Sequence, residues 1–167
     1  MKILVVSDSH SVLQFMLDCA GAIRPDAMIH LGDYFDDGEV LHAEFPEIPF
    51  YQVPGNCDFY RCSPRVPQIL IEEIFGVKFY LTHGHHHEVK RTLVSLLKDA
   101  RECGVQAVLY GHTHLEDCHR EEDGLWVLNP GTCGYGKRTG GLIEVEDGKI
   151  LSCRIISQED LEELRCF

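Results

Sequence analysis

The chain has 167 residues and a mass of 19.0 kDa, room for one well-buried core but little for two, so a single domain over 1–167 is expected. With 44% hydrophobic and 25% charged residues it reads as an ordinary soluble globular protein. Its net charge of -12 repels the phosphate backbone of long nucleic acids, which argues against a polymeric nucleic-acid partner; small anionic substrates stay open, because bound cations reverse the local field.

Residues 2–6 read as a buried strand, and 11–23 as a helix with Leu13, Met16, Leu17, Ala20 and Ile23 on one face. A second strand is expected at 27–31, a loop or helical stretch through 45, and a third strand at 50–53 before the Pro54-Gly55 turn signal. Strand, helix, strand in this order argues for parallel pairing with crossover helices. Ile69-Leu70-Ile71 and Val77 to Leu81 flank Phe75-Gly76 and resemble a hairpin. A helix is expected over 87–103, with Val89, Leu93, Leu96, Leu97 and Ala100 on one side and Gly104 as its stop. A strand at 105–110 follows, then short strands near 125–128, 141–146 and 149–156, the last two joined by Asp147-Gly148. The tail from Gln158 to Phe167 reads as a short acidic helix packing Leu161 and Leu164 inward.

The N-terminal apolar stretch is too short for a signal peptide and no segment approaches a membrane span, so a cytoplasmic location without a membrane partner is expected. The eight cysteines should then stay reduced, and none forms a Cys-x-x-Cys pair. Cys57 stands apart because it lies within a polar cluster.

Five such clusters each end a strand-like segment: Asp8-Ser9-His10, Gly32-Asp33, Gly55-Asn56-Cys57-Asp58, His83-Gly84-His85 and Gly111-His112-Thr113-His114. Asp8 with His10, and His112 with His114, have i, i+2 spacing, which leaves a strand end on one side. Together with Asp33, Asn56 and His83 they make seven potential ligands, oxygen and nitrogen mixed and no thiolate required. That set suits Mn, Fe, Zn, Ni or Co rather than Ca or Cu(I). Two such ions about 3.5 to 4 Å apart activate water and clamp an in-line displacement at phosphorus.

In this order the five clusters resemble the calcineurin-like metallophosphoesterase superfamily, and the chain's size resembles its small bacterial and archaeal phosphodiesterases. The resemblance covers residues 8–131. It implies an α/β fold of four layers, two mixed β-sheets flanked by helices. It also implies that Asp8, His10 and His114 hold one divalent ion and Asn56, His83 and His112 the other, manganese being the first choice. Asp33 would bridge them, and a metal-bound hydroxide would attack a small phosphodiester. Asn129-Pro130-Gly131-Thr132 resembles the segment that closes one side of the site. Where many members carry His, this chain has Cys57; a thiol, with a reference pKa of about 8.5, is a poorer proton donor to an alkoxide, so aryl phosphodiesters should be favoured. The small phosphodiesterases also carry Cys there. Ser11 replaces a usual glycine, with a minor loop effect expected.

Asp58 is expected to orient a ligand, His85 to line the pocket without binding metal, and Lys137 or Arg138 either to hold a substrate phosphate or to belong to a solvated loop. His30, His42 and His119 read as ordinary, and His86 and His87 as solvated. Competing readings are a phosphomonoesterase, a nuclease, and a scaffold module like the retromer subunit of this fold, whose pattern has Asn where this chain keeps His10. Self-association is a further expectation, with no contact specified by the sequence.

Overall fold

A computed structural model describes residues 1–165, with side chains through 163. The expected inward packing of Leu164, and residues 166–167 of the tail, lie outside the described residues. The elements in chain order are β1 (Lys2–Val6), α1 (Gln14–Ile23), β2 (Ala27–His30), α2 (Phe35–Glu44), β3 (Phe50–Gln52), β4 (Ile69–Ile74), β5 (Val77–Thr82), a 3-10 turn (His85–His87), α3 (Val94–Glu102), β6 (Ala107–Leu109), β7 (Glu116–Arg120), β8 (Trp126–Pro130), β9 (Thr139–Glu146), β10 (Lys149–Ser157) and α4 (Gln158–Arg165).

The strands form two five-stranded sheets in the orders β10-β9-β1-β2-β3 and β4-β5-β6-β8-β7. Both are mixed. β1, β2 and β3 run parallel, as do β5, β6 and β8, while β9, β10, β4 and β7 pair antiparallel with their neighbours. Alternation along β1 accounts for the layering. Ile3 and Val5 face a core shared with Phe79, Leu81, Leu109 and Leu128 of the second sheet, and Leu4 and Val6 face Phe15, Met16 and Cys19 of α1. On the far side Tyr80 and Val108 pack against Leu96 and Ala100 of α3. The result is an α/β sandwich of two sheets between helices. Each Leu or Ile buried this way contributes about 2 kcal/mol by removing apolar surface from water.

Three expectations are corrected. α1 starts at Gln14 rather than 11, because Asp8, His10 and Ser11 turn through left-handed backbone with φ of 55°, 47° and 67°. The helix expected over 87–103 begins only at Val94: Glu88 is left-handed with φ 52° and ends the 3-10 turn, although Leu96 and Ala100 face the core as their spacing implied. β7 was absent from the pattern because Glu-Asp-Cys-His-Arg has no apolar alternation; its pairing with β8 makes it a strand.

Candidate metal centre

Five of the six parallel strands deliver a ligand-bearing cluster at their C-terminal ends, the place where an open α/β sheet leaves a crevice. Asp8 and His10 follow β1, Asp33 follows β2, Asn56 follows β3, His83 follows β5, and His112 and His114 follow β6. The structure gathers all seven. Ligand atoms of Asp8, His10, Asp33 and His114 lie within 4.8 Å of one another. His83 Nε2 lies 3.5 Å from Asp33 Oδ1 and 3.2 Å from Asn56 Oδ1, and the His83 and His112 ring centroids are 5.0 Å apart.

The hydrogen bonds around the cluster orient its lone pairs. His83 Nδ1 is 2.7 Å from the Leu31 carbonyl, which can only accept, so Nδ1 carries a proton and Nε2 is the ring nitrogen turned towards the carboxylates. Asp8 Oδ2 accepts from Ser7 Oγ at 2.6 Å and from the His112 amide at 3.1 Å. Asp8 Oδ1 is buried and has no hydrogen-bond donor, while His114 Nε2 approaches it to 3.1 Å. A fully buried carboxylate oxygen without a donor, faced by imidazoles from several loops, is what a cation between them would satisfy. The residues therefore fit divalent ions.

Charge follows the same geometry. Burial works to raise the Asp8 pKa, but the His114 imidazole 3.1 Å from Oδ1, the neighbouring His83 and the hydrogen bond from Ser7 outweigh it and hold the carboxyl below its usual value. The contact with Asp8 raises His114. Burial and His83 push His112 down to about 4, and burial with His86 and His83 does the same to His85, so both imidazoles are neutral at pH 7. Burial, then the Asp33 carboxylate, push the Cys57 thiol up to about 11.

His85 lies beside His83 and His112, at ring distances of 5.4 and 6.1 Å. Asp58 does not reach the cluster. Its Oδ1 accepts from the amides of Tyr34 and Phe35 and its Oδ2 from that of Gly55, so it ties the Asp33 loop to the Asn56 loop. Lys137 pairs with Glu116, and Arg138 Nε donates to the Gly134 carbonyl at 3.0 Å. His87, expected in solvent, is buried between Tyr80 and Asp99, each 3.2 Å away. His30 is buried beneath the site, 3.4 Å from Ser9 Oγ.

Sequence reasoning missed Asp37, Tyr34 and Arg61 as supports, whereas Asn129 acts from the segment expected to close one side of the site. Asp37 accepts from Ser9 Oγ and the Ser11 amide, both at 2.7 Å, and so holds the first loop. Asn129 Nδ2 donates to the Gly111 carbonyl and Thr113 Oγ1, fixing the loop between His112 and His114. Tyr34 meets the His10 ring edge-on at 5.1 Å and carries Arg61 over its face at 3.8 Å. Asp37, Tyr34 and Arg61 stand in unpatterned segments and had no sequence signal. A cleft of about 790 Å³ opens at the other end of the sheets, among Val77, Arg101, Gln106, Trp126 and Lys149. It contains none of the strand-end ligands, so the chemistry is assigned to the carboxylate and imidazole cluster.

Two mixed sheets between helices, with carboxylates and imidazoles converging where the parallel strands end, define the metallophosphoesterase class of hydrolases. The profile of the calcineurin-like phosphoesterase superfamily domain matches residues 1–148, and the chain belongs to that family. It is 31% identical over 135 residues to the probable metallophosphoesterase YsnB of Bacillus subtilis, covering 79% of this chain and 75% of that one. It is 30% identical over 164 residues to phosphodiesterase MJ0936 of Methanocaldococcus jannaschii, covering 87% and 94%. A predicted phosphoesterase of Streptococcus pneumoniae superposes with a TM-score of 0.76 at 25% identity, over 95% and 90% of the two chains. Vps29 of Entamoeba histolytica in complex with zinc shares the fold, with a TM-score of 0.67 at 20% identity over 94% and 99%. Among the described residues no helix is long and apolar enough to cross a membrane.

Proposed function

We propose that this protein is a cytoplasmic phosphodiesterase that hydrolyses small phosphodiesters with two divalent ions, manganese being the first candidate. The observation that carries the reading is the buried Asp8 Oδ1, without a donor and facing imidazole nitrogens from separate loops. Asp8, His10 and His114 would hold one ion, Asn56, His83 and His112 the other, and Asp33 would serve both. Bound there, the ions supply positive charge that neutralises the phosphate and lowers the pKa of water.

The chain's own groups do the rest. The proton on His83 Nδ1, fixed by Leu31, keeps Nε2 available as a ligand. The Cys57 amide donates to Asp33 Oδ1 at 2.9 Å and orients that carboxylate. The Cys57 thiol, with its pKa at about 11, keeps its proton at neutral pH and yields it less readily than an imidazolium, which favours leaving groups needing little protonation. The name of the archaeal relative supports the diester reading, and the acidic net charge supports a small substrate over a nucleic-acid polymer.

The test is metal analysis of the purified protein, followed by bis-p-nitrophenyl phosphate and p-nitrophenyl phosphate assays with Mn²⁺ or Ni²⁺, for wild type and Asp33→Ala. Losing the shared carboxylate should reduce diester turnover ~10³-fold, as expected when several kcal/mol of charge stabilisation are removed. Unchanged turnover in the variant sinks the metal mechanism. Faster hydrolysis of the monoester leaves the phosphoesterase standing and rejects the diester preference.

A further inference from the structure

β7 at the edge of one sheet lies against β10 at the edge of the other, and a pair of thiols spans the seam. Cys118 is opposite Leu128 in the β7–β8 ladder, and Cys153 is opposite Ile143 in the β10–β9 ladder. Regular alternation from the inward-packed Ile150 would turn Ser152 inward and Cys153 outward. A bulge between Ile150 and Ser152 inserts Leu151, which is 61% exposed, and reverses the alternation. Cys153 and Ile155 then pack on the inter-sheet core, as Cys118 does from the other side. The two Sγ atoms are 3.2 Å apart, and Cys118 Sγ is also 3.2 Å from the Cys153 carbonyl oxygen. A disulfide needs about 2.05 Å, so a shift of about 1 Å closes the bond.

We propose that Cys118 and Cys153 are a reversible dithiol–disulfide site that bolts the two sheets together, with a low-molecular-weight disulfide of the glutathione class as its oxidant. Cys118 attacks first as thiolate, forming a mixed disulfide and releasing one small thiol. Cys153 then gives up its proton and attacks the Cys118 sulfur, expelling the second. The protein loses two electrons and two protons, and the oxidant becomes two thiols. Cys118 is the less deeply placed of the two sulfurs, so an external oxidant meets it first and Cys153 resolves the mixed disulfide. The bond would close a loop across 35 sequence positions and anchor β7, which starts two residues after His114.

The test incubates the purified protein with oxidised glutathione, maps its peptides without reduction, and compares its melting with that of a dithiothreitol-reduced sample. The expected result is a peptide pair joined through Cys118 and Cys153 and a Tm higher by ~10 °C, a gain that Cys118→Ser and Cys153→Ser each abolish. The wild-type comparison stands by itself if a variant folds poorly. Glutathione held at Cys118 without progress to the crosslink, a different cysteine pairing, or a crosslinked protein that melts with the reduced form would each overturn the proposal.

Discussion

At the C-terminal ends of the parallel strands most left-handed positions fall on residues with functional side chains, whereas at the opposite end each hairpin turn pairs one left-handed residue with a glycine. Eleven non-glycine residues among those described have positive φ, and seven of them (Asp8, His10, Ser11, Asp33, Tyr34, His112 and His114) belong to the cluster's loops. The other end uses Phe75-Gly76 and Asp147-Gly148, which pack against each other, and exposed pairs such as Arg101 with Glu121 and Asp123. Left-handed backbone costs about 1 kcal/mol or more at a residue with a Cβ, so the first end, with seven such residues against Arg24, Phe75 and Asp147 at the second, stores the larger share of this strain. Strain in this protein is therefore concentrated where carboxylates and imidazoles must converge, and it is held there by Asp37, Asp58 and Asn129.

Three perturbations of decreasing size probe that contrast. The largest is acid. Burial pushes the His30 pKa down to about 4 against an ordinary 6.5, so between those values the unfolded chain binds a proton that the folded chain refuses. The sign follows: stability is fully present above about pH 6.5 and falls as pH drops towards 4, by ~3 kcal/mol in total from this group. Urea titrations of metal-free wild type and His30→Gln across that window should diverge, with the variant flatter; parallel curves would remove His30 from the account.

Next come two glycines. A Cβ at Gly55 would stand 2.1 Å from Asp33 Oδ1 and 2.4 Å from the Asp33 amide, whereas one at Gly104 meets nothing within 4 Å and only its φ of 64° objects. Gly55→Ala should cost ~2 kcal/mol and lower metal affinity by displacing Asp33, and Gly104→Ala should cost ~1 kcal/mol with metal binding intact. Metal titration by calorimetry together with melting curves separates them, and equal metal affinity in both variants would erase the distinction. The smallest effect belongs to the far end: Arg101→Ala, which breaks exposed pairs, should change stability by ~0.5 kcal/mol or less, and a larger loss in a melting experiment would mean that this end is also under tension.

How much of this the sequence disclosed depends on whether a residue acts through a pattern or through a partner. β1, β2, β5 and β8 were legible as apolar runs, and the clusters behind them as short polar stops. β7 was not, since Glu116, Asp117 and His119 give no alternation and only the ladder to β8 makes them a strand. The start of α3 was misplaced because His85 to Leu93 keep helical spacing while Glu88 bends the backbone away. Asp58 looked like a neighbour of ligands; its three amide partners, two of them more than twenty residues away, make it a tie between loops. Such partners are set by tertiary contact, which no local spacing encodes.

The donors are also divided between the sheets: Asp8, His10 and Asp33 belong to the first, His114 to the second, and the hydrogen bond from His83 to Leu31 crosses the same seam. An ion held by that set grips both halves of the sandwich, so loading and folding share one equilibrium. Melting temperature then becomes a readout of free metal, rising with RT ln(1 + [M]/Kd) for an ion that binds only the folded chain. In the cell the same linkage would make the lifetime of this protein track the supply of its metal.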